Sequence, residues 1–230
     1  PYAPAESVAN HVMSLVLALA KGIILADRKL REDPKEGWKF RYKFTGDILR
    51  GKVLGLIGLG RIGSLVAKFA KVFGMEIIYY DTVRKQDLEH LLEIKYTSLT
   101  DLLRTSDFVS VNVPLSEETR KLVGESELDL MKESAYLINT SRGAIVDEEA
   151  LYRYLRDRKI AGAALDVYAV EPISPDNPLL KLENIILTPH MAAHTNDFFV
   201  TAAKTVAEDV LRVLKGEKPL HIANPEVYDR

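Results

Sequence analysis

The chain has 230 residues, 47% hydrophobic and 28% charged, with a net charge of −2 and a pI of about 6.3. Those values describe a globular protein with enough apolar surface for a full core and no basic footprint for nucleic acid. With no cysteine, disulfides, thiolate catalysis and cysteine-ligated metals are all excluded.

The first element reads as a helix from Pro4 to about Ala20 or beyond, rich in Ala, Leu and Val and apolar on most faces, so another surface should cover it. Its apolar run Val12 to Ala20 contains Ser14 and is too short to span a bilayer. No basic leader precedes it, so neither a membrane anchor nor a signal peptide is expected. Arg31 to Thr45 is polar, holds Pro34 and Gly37, and reads as a loop whose Trp38, Phe40, Tyr42 and Phe44 offer aromatic surface for docking.

From Gly51 onward strands and helices alternate. "KVLGLIG" is a strand and "RIGSLVAKFAKVF" a helix closing at Gly74; "MEIIYYD" is the next strand. "SLTDLLRTS" is a short helix with Ser98 and Asp101 at capping-box spacing, and "DFVSVNVP" is a strand. "ESELDLMK" is helical, "SAYLINTS" a strand, and "DEEALYRYLRDRK" a helix capped by Asp147. "IAGAALDV" and "NIILTPH" are strands, parted by a loop with Pro172, Pro175 and Pro178. A long helix then runs from about Asn196 to Leu214 and stops at Lys215-Gly216. Strands that are apolar along their whole length and alternate with helices predict an α/β fold: a doubly wound parallel sheet of Rossmann type.

"GLIGLGRIG" places Gly58, Gly60 and Gly63 in G-x-G-x-x-G spacing between a strand and a helix. In that context Gly58 allows a tight turn, Gly60 lets the backbone approach a pyrophosphate, and Gly63 lets helix and strand pack closely. The amides of Arg61 and Ile62 then face the phosphates at the positive helix end. Asp81 ends the next strand, eighteen positions after Gly63. A carboxylate there accepts hydrogen bonds from ribose hydroxyls and repels a 2′-phosphate, which favours NAD over NADP; nearby Arg84 and Lys85 weaken the preference.

Three polar residues follow other strands: Arg142 after "YLINTS", Asp166 after "AGAAL" with Glu171 five residues on, and His190 after "NIILTP". Carboxyl strand ends are where open parallel sheets bind ligands. An arginine at such a mouth is either a solvated loop residue or an anion clamp. His194 lies four residues after His190, but no H-E-x-x-H pattern accompanies the pair and the segment is not helical. No metal is expected there, and His194 is assigned to a pocket wall or an interface.

In order along the chain, "ESVANHVMSLVLALA", "LIGLGRIG", "INTSRGAIVDEEAL", "ALDVYAVEP", "LTPH" and "ANPEV" resemble the D-isomer-specific 2-hydroxyacid dehydrogenases, phosphoglycerate dehydrogenase and the glyoxylate and hydroxypyruvate reductases among them. The resemblance implies an NAD-dependent hydride transfer between nicotinamide and C2 of a small D-2-hydroxy or 2-keto acid. It implies that Arg142, buried at its strand mouth, clamps the substrate carboxylate and polarises the keto oxygen. His190 would be the general acid/base, with Glu171 holding the ring and favouring its protonated form. Asp166 would contact the nicotinamide carboxamide, and Val113, Pro114, Thr119 and Thr140 would line the cofactor beside Arg142 and His190. Residues 1–50 would be a linking helix and dimerisation-type loop, 51–190 the dinucleotide-binding domain, and 191–230 a C-terminal helix and tail returning towards a substrate lobe. A cytoplasmic homodimer is expected, with no nucleic-acid or membrane partner. Family members carry a substrate lobe ahead of the first helix; a chain without it is expected to bind cofactor and to turn over slowly or not at all. The competing reading is an NAD(H)-sensing binding protein of the co-repressor type, which has less need of a matched Arg142, Glu171 and His190 set.

Overall fold

The computed structural model describes residues 4–228. In chain order the helices and strands are α1 (Pro4–Lys21), α2 (Ile23–Glu32), α3 (Pro34–Lys39), β1 (Val53–Ile57), α4 (Arg61–Val72), β2 (Glu76–Tyr80), α5 (Gln86–Leu92) and β3 (Lys95–Tyr96). There follow α6 (Leu99–Thr105), β4 (Phe108–Val111), α7 (Glu125–Leu128), β5 (Tyr136–Asn139), α8 (Glu148–Arg156), β6 (Gly162–Leu165), β7 (Ile185–Leu187) and α9 (Asn196–Leu214). The strands form one seven-stranded sheet in the order β3-β2-β1-β4-β5-β6-β7, parallel at every pairing.

Two cores cover the two faces. On one, α1 and α4 lay Val12, Val16, Val66 and Ala70 over Leu54, Leu56 and Ile138. On the other, Leu102, Leu128, Leu151 and Leu155 pack on Ile57, Val109, Val111 and Leu137. The cover that an all-round apolar α1 requires is therefore α4 and the sheet itself. Ser98 and Asp147 cap α6 and α8, each accepting from a backbone N–H three residues on.

The segment read as a loop from Arg31 to Thr45 is mostly helical. Asp33 caps α3 by accepting from Lys35 and Glu36 N–H at 2.9 and 3.1 Å, and Pro34 occupies the first helical position. Asp-Pro was the signal for this helix, masked by charge and by a length of only six residues. Of its aromatics, Phe40 stacks on Phe44, while Trp38 and Tyr42 face solvent. Two short elements, α5 and β3, had no counterpart in the sequence reading: β3 is two exposed residues, and α5 buries none. Among the described residues no single helix is long and apolar enough to cross a membrane; α1 and α2 pass that test only jointly, across a 60° bend. The bend is at Gly22, whose φ is +60° and against which the Phe44 ring packs.

Register positions the site. Ile57 pairs with Tyr80 and Val111, Val111 with Asn139, Asn139 with Leu165, and Leu165 with Leu187. The next residue on each strand is therefore in one row: Gly58, Asp81, Asn112, Thr140, Asp166 and Thr188. The strand order reverses between β1 and β4, which opens a crevice at the centre of that row.

Candidate active site

The glycine loop shows three different reasons for glycine. At Gly58, with φ +95°, a β carbon would lie 2.7 Å from Val113 Cγ1 and 2.8 Å from the Asn112 carbonyl, where the loops after β1 and β4 cross. At Gly63 it would lie 2.3 Å from the Gly58 carbonyl oxygen, so helix and turn could not close. At Gly60 nothing stands within 4 Å, and φ is −78°, a value any residue adopts. The chain's own packing does not demand glycine at position 60. The open space at the positive end of α4 fits a dinucleotide pyrophosphate. Asp81 Oδ2 accepts from Leu59 N–H at 2.8 Å, joining the loop to the end of β2, and Oδ1 accepts from Val83 N–H at 3.2 Å. Arg84 is forked onto Glu89 at 2.9 and 2.8 Å, so its charge is engaged away from Asp81. That pair and the Tyr79 hydroxyl hold the Glu89 carboxyl down at about 2.

A cleft of about 650 Å³ runs along the crevice. Gly60, Arg61, Ile62, Val113, Pro114, Thr140, Arg142, Asp166 and His190 line it. Gly58, Gly63, Asp81, Thr119 and Glu171 are not among its lining residues. Thr119 has a bracing position: its hydroxyl donates to the Pro114 carbonyl at 2.7 Å and accepts from Ser116 N–H at 2.7 Å, folding the loop after β4. A larger cavity of about 790 Å³ lies along α9 and is walled by Phe198, Val206, Val210 and Leu214; it shares only Pro4 with the lining of the cleft.

Arg142 is exposed rather than buried. The reason is local: β5 stops at Asn139, whose side chain accepts from Ser141 N–H and donates to the Arg142 carbonyl, both at 3.0 Å. This turn throws the guanidinium outward, where it donates to the Ser141 carbonyl at 2.7 Å. Gly143 then passes so close to the next loop that a β carbon would sit 1.9 Å from the Tyr168 backbone. That approach sets the Arg142 loop beside the loop carrying Glu171.

Glu171 and His190 form a hydrogen-bonded pair, Oε2 to Nδ1 at 2.7 Å, and Glu171 Oε1 accepts from Tyr168 N–H at 3.0 Å. Partial burial pushes the Glu171 carboxyl up, but the bonds from His190 and Tyr168 and the Arg142 charge outweigh it and hold it below the usual range. Facing a carboxylate, Nδ1 carries the hydrogen, which leaves Nε2 as the nitrogen that can exchange a proton. His190 adopts φ +51°, a left-handed conformation costing about 1–2 kcal/mol for a residue with a β carbon. Its N–H donates to Thr188 O at 3.0 Å, and the next two amides, Met191 and Ala192, donate to Asp166 at 2.9 and 2.8 Å. Strain held in place by such over-determination is a mark of functional sites.

Asp166 is fully buried and takes a third donor, the Thr188 hydroxyl, at 2.6 Å. His11 of α1 reaches the same place, with Nε2 3.2 Å from Thr188 Oγ1 and 3.6 Å from Asp166 Oδ1. Sequence reading passed over His11 and Thr188, and also Pro4, Ala5 and Val8, which α1 contributes to the cleft wall. The separation of 177 residues between His11 and Thr188 left no local signal. Asn112 and Ser141 were legible in principle, as polar residues at the ends of apolar strands. His194 is exposed, packs on the Phe199 ring at 5.5 Å, and is not a lining residue of the cleft. Among the described residues no three His, Asp or Glu side chains converge on a metal-sized site.

Residues 13–192 match the family model for the D-isomer specific 2-hydroxyacid dehydrogenase, NAD binding domain. A glyoxylate reductase of Korarchaeum cryptofilum is 46% identical over 223 residues, covering 96% of this chain and 67% of that protein. A D-3-phosphoglycerate dehydrogenase of Archaeoglobus fulgidus is 43% identical, over 91% of this chain and 39% of its own length. The NAD-complexed D-isomer specific 2-hydroxyacid dehydrogenase of Lactobacillus delbrueckii ssp. bulgaricus superposes with a TM-score of 0.84 at 30% identity, over 97% of this chain and 70% of that one. The chain thus spans about two thirds of the length of the glyoxylate reductase and well under half of the phosphoglycerate dehydrogenase. By sequence and by fold, it belongs to the D-isomer specific 2-hydroxyacid dehydrogenases, through their NAD binding domain.

Proposed function

We propose that the chain carries the cofactor site and the proton-transfer machinery for reversible reduction of a small 2-keto acid to a D-2-hydroxy acid. The observation that carries this reading is the Glu171–His190 pair at the carboxyl edge of the sheet, whose histidine lines one cleft with Arg142 and the glycine loop. Bound NADH supplies the hydride. His190 Nε2 gives a proton to the keto oxygen as C2 is reduced, and recovers it in the reverse direction; Glu171 holds Nδ1–H so that the correct nitrogen faces the substrate. Arg142, exposed at the cleft, takes the substrate carboxylate in its planar fork and polarises the carbonyl.

Gly60, Arg61 and Ile62 receive the pyrophosphate, Asp81 the adenosine ribose, Asp166 the nicotinamide carboxamide, and Val113, Pro114 and Thr140 the remaining walls. Asp81 makes NAD the preferred dinucleotide. Glyoxylate is the first substrate to try, because the Korarchaeum relative is a glyoxylate reductase at 46% identity. Exposed Ile23, Ile24, Trp38 and Tyr42 on and after α2 support a homodimer through that face.

The test is NADH oxidation followed by absorbance with glyoxylate, hydroxypyruvate and pyruvate, in the complete protein with its substrate lobe and in its His190→Gln variant. Reduction that falls at least about 100-fold in the variant, with NADH affinity retained, is the expected result. Equal turnover in both proteins would remove His190 from the mechanism.

A further inference from the structure

Helix α1 does more than cover the sheet. Ser7 and His11, one turn apart on the same helix face, both reach the segment 188–195 that carries His190. Ser7 Oγ lies 2.8 Å from Thr195 Oγ1, and His11 Nε2 lies 3.2 Å from Thr188 Oγ1. One contact falls at each end of the segment. Between them, Met191 and Ala192 amides bind Asp166, so the segment is pinned at both ends and in the middle.

The hydrogens at Thr188 can be assigned. A threonine hydroxyl has one hydrogen, and at 2.6 Å it goes to Asp166 Oδ1, since a carboxylate only accepts. His11 Nε2 must then be the donor to Thr188 Oγ1. Burial lowers the pKa of His11 below its ordinary 6.5, outweighing the opposing pull of Asp166, so the neutral ring carries its one N–H at Nε2. A directed chain results: His11 Nε2–H to Thr188 Oγ1–H to Asp166 Oδ1. Asp166 Oδ2 takes the Ala192 amide and, as a carboxylate oxygen, keeps the capacity to accept a further donor, in a residue that borders the cleft.

We infer that His11 is a positioning residue for the nicotinamide end of the site, acting through Thr188 to hold the Asp166 carboxylate in the orientation that receives the carboxamide. The inference rests on the cofactor placement proposed above. Its consequence is selective. Interactions with the adenosine and pyrophosphate, at the other end of the crevice, do not pass through His11, so its loss weakens only ligands that possess a nicotinamide.

The experiment is titration of NADH and of ADP-ribose, which lacks the nicotinamide, into the chain and its His11→Leu, His11→Gln, Thr188→Val and His11→Leu/Thr188→Val variants. Glutamine places an amide N–H where Nε2 stands, so it should restore the donor. The expected result is NADH binding weakened about fivefold in His11→Leu, near that of the unaltered chain in His11→Gln, and no weaker in the double variant than in Thr188→Val. ADP-ribose binding should stay constant throughout. Parallel loss of ADP-ribose affinity, failure of glutamine to rescue, or additive effects in the double variant would each overturn the inference. An unaltered chain that binds neither ligand would sink the cofactor placement itself, and this inference with it.

Discussion

Gly60→Ala separates a glycine kept for the ligand from one kept for the fold. The backbone at position 60 has φ −78° and ψ −160°, which alanine adopts without strain, and its β carbon would project into open space. Two small stability effects oppose each other. Alanine loses less backbone entropy on folding, a gain of about 0.4–1 kcal/mol. It is also a poorer N-cap than glycine, a loss of similar size. The net change in Tm should therefore be within about 2 °C. The new methyl group would, however, occupy the space proposed for a pyrophosphate at the helix amides. Losing one charge-assisted hydrogen bond is worth about 1.5–3 kcal/mol, a fall in NADH affinity of about 10- to 100-fold. Gly63→Ala is the contrast: its β carbon would overlap the Gly58 carbonyl, so Tm itself should fall. Calorimetric titration with NADH and a thermal melt of both variants decide the matter. Unchanged NADH affinity in Gly60→Ala would mean that no phosphate approaches there; a melt lowered as far as in Gly63→Ala would make position 60 structural.

Asp81→Ala removes the acceptor proposed for the ribose and the partner of the buried Leu59 amide, so NADH should bind more weakly while NADPH loses less. A constant NADH/NADPH affinity ratio would show that Asp81 does not read the ribose. Gly143→Ala forces a β carbon onto the Tyr168 backbone, which no rotamer change can relieve, and should cost about 3 kcal/mol in urea unfolding; wild-type stability would contradict the close approach. His11 has a folded pKa below 6.5, so between the two values the unfolded chain binds a proton that the folded chain does not. Stability contributed by His11 is thus complete above about pH 6.5, falls as pH drops through it, and levels off below the folded value. His11→Gln should flatten the profile in urea unfolding as the pH is lowered through about 6.5; an identical slope in both proteins would place the titration elsewhere.

Local chemistry makes much of this protein legible in its sequence. Unbroken apolar strands alternating with amphipathic helices determine a parallel sheet, because only a sheet covered on both faces can bury them. The Ser98 and Asp147 caps, the glycine turn and the stop at Gly216 follow from side-chain and backbone preferences acting over a few residues. So does the presence of Gly58, Asp81, Asp166 and His190 at strand ends, since their neighbours are apolar and they are not. What the chain order cannot contain is register. Only the pairing of Ile57, Tyr80, Val111, Asn139, Leu165 and Leu187 in one row brings residues 58, 81, 112, 140, 166 and 188 to a common edge. The outward turn of Arg142, the left-handed backbone at His190 and the reach of His11 across 177 positions arise the same way. Each depends on contacts between segments far apart in the chain, and such contacts leave no periodicity or spacing to read.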